Sequence, residues 1–366
     1  MKKKGKTEKI NILITSPSLD AKNNVSGISS MVATIIEHNS EQHYYHYLFG
    51  KKDKNAVRLF SLLLTIKQLL LFPFALRKCK IDLVHQNFPF DEKGVLRESI
   101  VRLWCRLFRV PVVLHIHGGK FMTFNTGNPF YRFLSKQLFT SSKAVIVLSE
   151  VEKNNIAAVY GYKGATVLPN CIDDAFLTLY SGKPMNPVPV FLYMGRLDEA
   201  KGLYDIAEAF RLLKREGLRF KFNLCGSGRL TSIIPEFESI LKEDFTYHGV
   251  VWGDHKNAII SQSDFFLLPS WFEGLPIALL ETMAAGLVPF VTNAGSVGQY
   301  VKDDITGYIV EKKSPHDLSA KIKKIIYEHA LFKTLSNNAH KMIVDTCNVD
   351  GYVNRLNIIY QQCLRG

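Results

Sequence analysis

Two glutamates, Glu273 and Glu281, stand eight positions apart in "PSWFEGLPIALLETMAAG" (269–286). Leu275, Ile277, Leu279 and Leu280 lie between them, so the charges are out of place for a core element. They fit a segment whose near end faces a polyhydroxylated ligand, because an ionised carboxylate accepts hydrogen bonds from two adjacent hydroxyls. A second group lies in "YMGRLDEAKGL" (193–203), where Arg196 and Lys201 sit around Gly195 and Gly202. Glycines let backbone approach a phosphate, and two cations neutralise a diphosphate. The alternative for this stretch is a plain turn with solvated charges. "LCGSGRL" (224–230) is a further glycine turn, but Thr231 stands where the dinucleotide fingerprint needs Gly or Ala. In the first half, "LHIHGGKF" (114–121) puts His117 at the end of an apolar run and before Gly118-Gly119. His115 shares its strand face one step deeper and reads as a hydrogen-bonded core histidine.

These residues need strand ends to hold them. Short β-rich runs alternate with helical patterns: "INILIT" (10–15), "YYHYLF" (44–49), "DLVHQN" (82–87), "VVLHIH" (112–117), "AVIVLS" (144–149) and "ATVLPN" (165–170). Helical patterns at 95–108 and 129–140 separate some of them. Such alternation predicts a parallel sheet with helices on both faces. "SGKPMNPVPV" (181–190), with three prolines, reads as a linker, and the alternation then restarts with "VFLYMG", "FKFNLCG", "FTYHGVV", "FFLLPS", "VPFVTN" and "GYIV". The predicted helix after "FFLLPS" begins near Pro276, carries Glu281 in its second turn and ends at Gly286. The expected organisation is an α/β chain of two doubly wound, Rossmann-like domains facing a cleft. The first is 1–182, the linker 183–189 and the second 190–345. A helix at 346–366 returns toward the first domain, with Tyr352, Leu356, Ile359 and Cys363 on one face. In such sheets ligands bind beyond the carboxyl ends of the strands.

The 366 residues suffice for two full cores, and 47 % are apolar. The greasiest stretch, "LFSLLLTIKQLLLFPFAL" (59–76), is interrupted by Lys67, Gln68 and Pro73, which argues against a membrane span. The basic start has too short an apolar part for a signal peptide. Six scattered cysteines form no metal spacing or C-x-x-C pair and fit a reducing cytoplasm. The formal charge of +13 is uneven. Residues 1–186 hold 26 Lys/Arg and 13 Asp/Glu, whereas 187–366 hold 20 of each. The excess includes Lys2, Lys3, Lys4, Lys6 and Lys9, and the candidate helix "LRESIVRLWCRLFR" (96–109). It suits an anionic membrane surface or acceptor. A solubilising surface is the bland alternative. Nucleic acid is not expected, since no helix-turn-helix, zinc or RNA-binding signature accompanies the charge.

Taken together, the motifs resemble those of the retaining family 4 glycosyltransferases of the GT-B type. Glu273 and Glu281 match the family's E-x7-E element, and Gly195, Arg196, Lys201 and Gly202 match its G-R-x-x-x-x-K-G element. The resemblance extends to "VLPNCIDDAF" (167–176), "HGVV" (248–251), "TNAGSVGQYVKDDITGYIV" (292–310) and "LHIHGGKF". It implies transfer of a sugar from a nucleoside diphosphate sugar, of UDP or GDP type, to a growing glycan, with the anomeric configuration retained. The implied acceptor is a lipid-linked precursor of a bacterial surface polysaccharide, met at the cytoplasmic face of the membrane. Arg196 and Lys201 would hold the donor diphosphate, Glu281 the ribose, and Glu273 with Gly274 and Leu275 the donor sugar. Val250 and Val251 would receive the base, and the turn from Gly295 and Ser296 to Val301 would lie by the sugar and phosphate with a helix N-terminus toward the anion. His117 would reach the sugar from the first domain, whose acceptor side would include Gly27, Gly118, Gly119 and Asn170. No cofactor or metal is implied, and "DD" at 173–174 and 303–304 lacks D-x-D spacing.

The chain departs from the family pattern at four places. Ser26-Gly27 replaces a glycine pair, Cys171 follows Asn170 where glycine is usual, Ser296 replaces a second glycine, and Gln299 replaces a frequent glutamate. The last alters an acceptor beside the donor sugar and weakens inference of the sugar more than of the reaction. Two rival readings are a sugar-nucleotide epimerase of the same fold and a non-catalytic nucleotide-sugar-binding partner of another transferase. The first lacks evident cleft carboxylates of its own. The incomplete glycine fingerprint disfavours an NAD dehydrogenase.

Overall fold

The computed structural model describes residues 9–20, 24, 26–49, 58–123 and 126–365. Lys2, Lys3, Lys4 and Lys6 of the basic head lie outside these residues. The chain divides into two compact units, Met1–Pro169 with Asp350–Gly366, and Asn170–Val349.

The first unit is built on β1 (Asn11–Ser16), β2 (His43–Leu48), β3 (Leu83–Phe88), β4 (Val112–Ile116), β5 (Ala144–Val147) and β6 (Ala165–Val167). They form one parallel sheet in the order β2-β1-β3-β4-β5-β6. The helices Arg58–Lys78 and Glu92–Leu107 share a core with the sheet through Phe72, Leu76, Val101, Cys105, Leu13 and Val84. Pro129–Ser141 and Glu150–Tyr160 pack through Leu138, Phe139, Ile156 and Tyr160 on Leu114, Ile116 and Val145. Local chemistry sets the helix starts. Asp91 accepts from Gly94 N, Asn128 precedes Pro129 and accepts from Phe130 N, and Ser149 accepts from Glu152 N. The stretch 59–76, broken by Pro73, is one continuous helix, and none of the described helices is long and apolar enough to cross a membrane. The last helix, Val349–Arg365, buries Tyr352, Leu356, Ile359 and Cys363 as its period requires.

The second unit carries β7 (Val190–Met194), β8 (Lys221–Cys225), β9 (Phe245–Gly249), β10 (Phe265–Leu268), β11 (Val288–Thr292) and β12 (Tyr308–Val310). Its sheet is parallel in the order β12-β11-β10-β7-β8-β9. Phe191 contacts Phe210, Phe220, Phe265 and Phe290, so one aromatic cluster joins both halves of the sheet. The strand order reverses between β7 and β10, which makes their carboxyl ends the topological switch point.

The units divide after Pro169, not at 183–189. Side-chain bonds explain the difference. Lys183 Nζ donates to Ser261 O at 2.7 Å, and Asn186 Nδ2 donates to both oxygens of Asp264 at 3.0 Å. Asp264 also accepts from Val190 N at 2.8 Å. The proline-rich stretch is thus stitched to the second sheet, which proline spacing alone does not reveal.

Candidate active site

Five loops at the carboxyl ends of the second sheet are tied to one another by backbone bonds. After β7, Gly195 N donates to Cys225 O at 3.1 Å and Leu197 N to Ser227 O at 3.0 Å. After β8, Gly226 N donates to Gly249 O at 2.6 Å, where β9 ends and Val250-Val251 follow. The loops on either side of the switch are joined by Trp271 N, which donates to Ala200 O at 2.8 Å. The loop after β10 is joined to that after β11 by Ser296 N, donating to Gly274 O at 3.0 Å, and by Thr292 Oγ1 on Ser270 O.

Two glycines are required by this interlocking. Gly202 has φ +73°, and a Cβ there would lie 2.3 Å from Pro269 O. Gly295 has φ +57°, and a Cβ would lie 2.0 Å from Glu273 O. Both positions need the left-handed region and a close backbone approach, so larger residues would push the loops apart. Gly202 therefore serves loop packing, whereas the sequence reading gave it to phosphate approach.

The charged side chains form two ion pairs. Lys201 Nζ lies 2.6 Å from Glu273 Oε1, and Lys256 Nζ lies 2.6 Å from Glu281 Oε1. The side chains of Glu273 and Glu281 are 9 % and 6 % exposed. Removing one partner of such a pair costs about 3–5 kcal/mol because the other charge is left desolvated. Arg196 is exposed and makes no salt bridge among the described residues. Its own carbonyl is held by Tyr193 OH at 2.7 Å. Burial, then the charges of Glu273 and Asp198, raise the Tyr193 hydroxyl well above its ordinary range, so it stays a donor. Sequence reasoning missed Lys256. It opens the helix Gly253–Gln262 far from Glu281 in the chain, its Nζ also stands 4.8 Å from the Phe176 ring, and no spacing announces either contact.

Leu275 and Val251 are buried, Val250 and Gly274 partly so. Asn170, expected on the acceptor side, lies in the second unit, where its Nδ2 donates to Leu275 O at 2.9 Å. It ties down the loop that carries Glu273. The turn from Gly295 forms only the four-residue helix Val297–Tyr300, and Ser296 caps it with no side-chain bond. A single turn offers free N–H groups but little macrodipole, so the expected helix-end charge is small. The Ser296 hydroxyl is buried with no hydrogen-bond partner among the described residues.

In the first unit, Gly27 opens the helix Gly27–His38 after Ser26, whose Oγ accepts from Ser29 N. His117 follows β4. Its N donates to Phe88 O at 3.0 Å, and its Nε2 lies 2.8 Å from Asn87 Oδ1. Gly118 O accepts from Phe90 N at 2.7 Å, which together with Phe121 N on Phe90 O fixes the Gly118-Gly119 turn.

A chain of polar groups runs from Glu41 at the surface to the histidines beside His117. Asn357 Nδ2 donates to Glu41 Oε2 at 2.9 Å. Asn357 Oδ1 accepts from Asn39 Nδ2 at 2.9 Å, and Asn39 Nδ2 donates also to Tyr44 OH at 2.8 Å. Tyr44 OH lies 3.4 Å from Tyr360 OH, which lies 2.7 Å from His85 Nδ1. His85 Nε2 lies 3.2 Å from His115 Nδ1. His115 Nε2 has no hydrogen-bond partner among the described residues. Its ring lies 4.1 Å from that of His117. Burial lowers the pKa of all three histidines, to about 3 for His85 and His117, so the cluster is neutral near pH 7. His115 is thus the hydrogen-bonded core histidine its strand position implies.

The chain matches two family models, "Glycosyltransferase Family 4" over residues 32–176 and "Glycosyl transferases group 1" over 182–342. Between them they take in most of both units, and the chain belongs to the family 4 glycosyltransferases of GT-B fold. It is 25 % identical over 325 residues to the UDP-Gal:alpha-D-GlcNAc-diphosphoundecaprenol alpha-1,3-galactosyltransferase of Escherichia coli, covering 83 % of this chain and 81 % of that protein. It is 26 % identical over 304 residues to the capsular polysaccharide biosynthesis glycosyltransferase CapM of Staphylococcus aureus, covering 79 % and 78 %. Among solved structures it resembles a sucrose-phosphate synthase from Thermosynechococcus elongatus, with TM-score 0.79 and 17 % identity over 97 % of this chain and 99 % of the other.

Proposed function

We propose that this glycosyltransferase moves a sugar from a nucleoside diphosphate sugar to a lipid-linked glycan precursor of a surface polysaccharide, with retention of anomeric configuration. The observation that carries the reading is the set of Arg196, Lys201 and Glu273 on interlocked loops, with Glu281 on the helix that follows, around the β7–β10 switch point. Two cations meet the charge of a departing diphosphate, and two carboxylates accept hydroxyls of sugar and ribose. Val250 and Val251 supply the apolar floor for the base. The leaving phosphate takes the acceptor's proton as the new bond forms on the face it vacates. With Arg196 and Lys201 neutralising that phosphate, the reaction requires neither metal nor cofactor. The name of the Escherichia coli relative supports a UDP donor and a polyprenyl-diphosphate acceptor. The positive excess before residue 187 supports an anionic bilayer at the cytoplasmic face as a further partner.

The test is donor hydrolysis and transfer across UDP-, GDP- and ADP-sugars, with and without chelator, followed by NMR of the product anomer. One donor should turn over in chelator and give the retained anomer. Binding without turnover of any donor supports the non-catalytic reading instead, and an inverted product removes the proposed mechanism.

Two substitutions test individual roles. Glu281→Gln keeps shape but weakens acceptance from two hydroxyls and leaves Lys256 without its counter-charge. Nucleotide affinity measured by calorimetry should drop by about 1–2 kcal/mol. An unchanged affinity removes Glu281 from the ribose. His117→Ala should lower turnover far more than nucleotide affinity, since the nucleotide residues all lie in the other unit. Surviving turnover in a folded His117→Ala chain ends that assignment.

A further inference from the structure

Three helices of the first unit keep an apolar outer face. On Arg58–Lys78, Gln68, Phe72 and Leu76 are buried against the sheet, while Leu63, Leu70 and Phe74 point away from it and are each more than half exposed. On Glu92–Leu107, the exposed residues Leu96, Ile100, Leu103 and Leu107 fall at i, i+4, i+7 and i+11, which is a single helical stripe. Trp104 and Phe108 of that segment turn inward and pack on the core. Phe133 of Pro129–Ser141 extends the exposed surface. The helices are neighbours: the first two share one core, and Arg102 Nε of the second donates to Ser141 O of the third at 3.1 Å. An apolar face of this extent marks a contact surface.

The charges on the same helices identify what covers it. The three segments hold ten Lys/Arg and two acids. One acid, Glu98, is fully buried and paired with Arg97 at 2.6 Å. Lys67 stands within the outer stripe of the first helix, and Arg106 beside Leu103 and Leu107 on the second; both are exposed. Pairing this face with a second copy of itself would oppose like charges. An anionic lipid surface meets both the leucines and the cations, with long basic side chains reaching up to headgroup phosphates while the stripes sink below them.

We propose that the joined outer faces of these three helices insert shallowly into an anionic bilayer and hold the enzyme there as a monotopic protein. The inference deepens the reading of an anionic membrane partner by assigning the contact to named apolar stripes as well as to charge. Electrostatic attraction alone is screened by salt, whereas buried apolar area is not.

The experiment uses the full chain with vesicles of phosphatidylglycerol and phosphatidylcholine, or of phosphatidylcholine alone, at low and high salt. The compared variant carries Leu70→Gln, Phe74→Gln, Leu103→Gln and Leu107→Gln, which leaves every charge in place. The wild-type chain should sediment with anionic vesicles and stay partly bound in high salt. The variant should lose about tenfold or more of its partitioning at low salt and all of it at high salt. Its UDP affinity and its transfer to a water-soluble acceptor should stay unchanged, which shows that the fold survives. Vesicle binding equal to wild type, or a wild-type chain that ignores anionic vesicles, overturns the proposal. A wild-type dimer that the four substitutions dissociate also overturns it and makes the face an interface between copies. The vesicle assay uses no donor, so a chain that docks but transfers no sugar sinks the transferase reading alone.

Discussion

Replacing Arg196 and Lys201 together by alanine should reduce sugar transfer by a factor of about 10²–10⁴, if each charge-assisted contact to the diphosphate contributes about 1.5–3 kcal/mol. The two single variants should differ in kind. Arg196 is exposed and makes no salt bridge among the described residues, so Arg196→Ala should weaken donor binding and turnover by about ten- to a hundredfold while thermal stability stays flat. Lys201 stands 2.6 Å from Glu273, whose carboxylate is nearly enclosed. Lys201→Ala should therefore also lower the stability of the second unit, by up to about 3–5 kcal/mol. Adding Glu273→Gln to Lys201→Ala removes the orphaned charge and should restore much of that stability without restoring transfer. Steady-state kinetics with donor calorimetry and thermal unfolding separate these effects. A double alanine variant with near-normal transfer and donor affinity would falsify the clamp.

The glutamate pair and the glycine-flanked cations were legible because they are local. Each sits on a strand–loop–helix junction whose strand is a short apolar run, and the alternation of such runs with helical periods gives both parallel sheets. Residues that meet only through the fold were not legible. Lys256 pairs with Glu281 across 25 positions, and Asn170 reaches Leu275 across 105. Nothing in the local pattern of either marks the partner. The boundary between units was misplaced for a related reason: proline density marks extended backbone, but Asp264 decides which sheet the extended segment joins. Most instructive is the buried strand β3. Its His85, Gln86 and Asn87 look too polar for a central strand, yet each finds a partner: Tyr360 for His85, Glu98 for Gln86 and His117 for Asn87. One of those partners comes from the far end of the chain, so the return of the last helix is what permits a polar central strand. The apolar stripe on 59–76 shows the opposite case. Lys67, Gln68 and Pro73 interrupt it in sequence and no described helix is long and apolar enough to cross a membrane, but exposure of its outer leucines appears only once the sheet has claimed Phe72 and Leu76.

The histidine cluster makes the first unit acid-labile relative to the second. His85, His115 and His117 have pKa values lowered by burial, with His85 and His117 near 3, against about 6.5 when unfolded. Between those limits the unfolded chain binds protons that the folded unit excludes, so unfolding free energy rises with pH. Stability from these groups is fully present above about pH 6.5 and is lost as pH falls toward 3. Each group contributes a slope of about 1.4 kcal/mol per pH unit. Buried carboxyls oppose this. Glu152, pushed up to about 7 by burial, and Glu98, also raised, bind protons better when folded and lose stability as pH rises. Four histidines, counting the partly buried His46, outweigh two carboxyls, so the first unit loses stability as pH falls below about 6.5. In the second unit the lowered His248 is set against the raised Asp205 and Asp264, so no comparable loss arises there. Trp104 is the first unit's one tryptophan, and Trp252 and Trp271 belong to the second. A full chain carrying Trp252→Phe and Trp271→Phe therefore reports the first unit by fluorescence, and one carrying Trp104→Phe reports the second. Urea midpoints at pH 7.5 and 5.5 should fall steeply in the first reporter and little in the second. His85→Asn should flatten the first reporter's slope by about one histidine's share, even where it lowers stability overall. Equal acid shifts in both reporters, or a first-unit midpoint that does not move, would show that the buried imidazoles are not what couples this unit to pH.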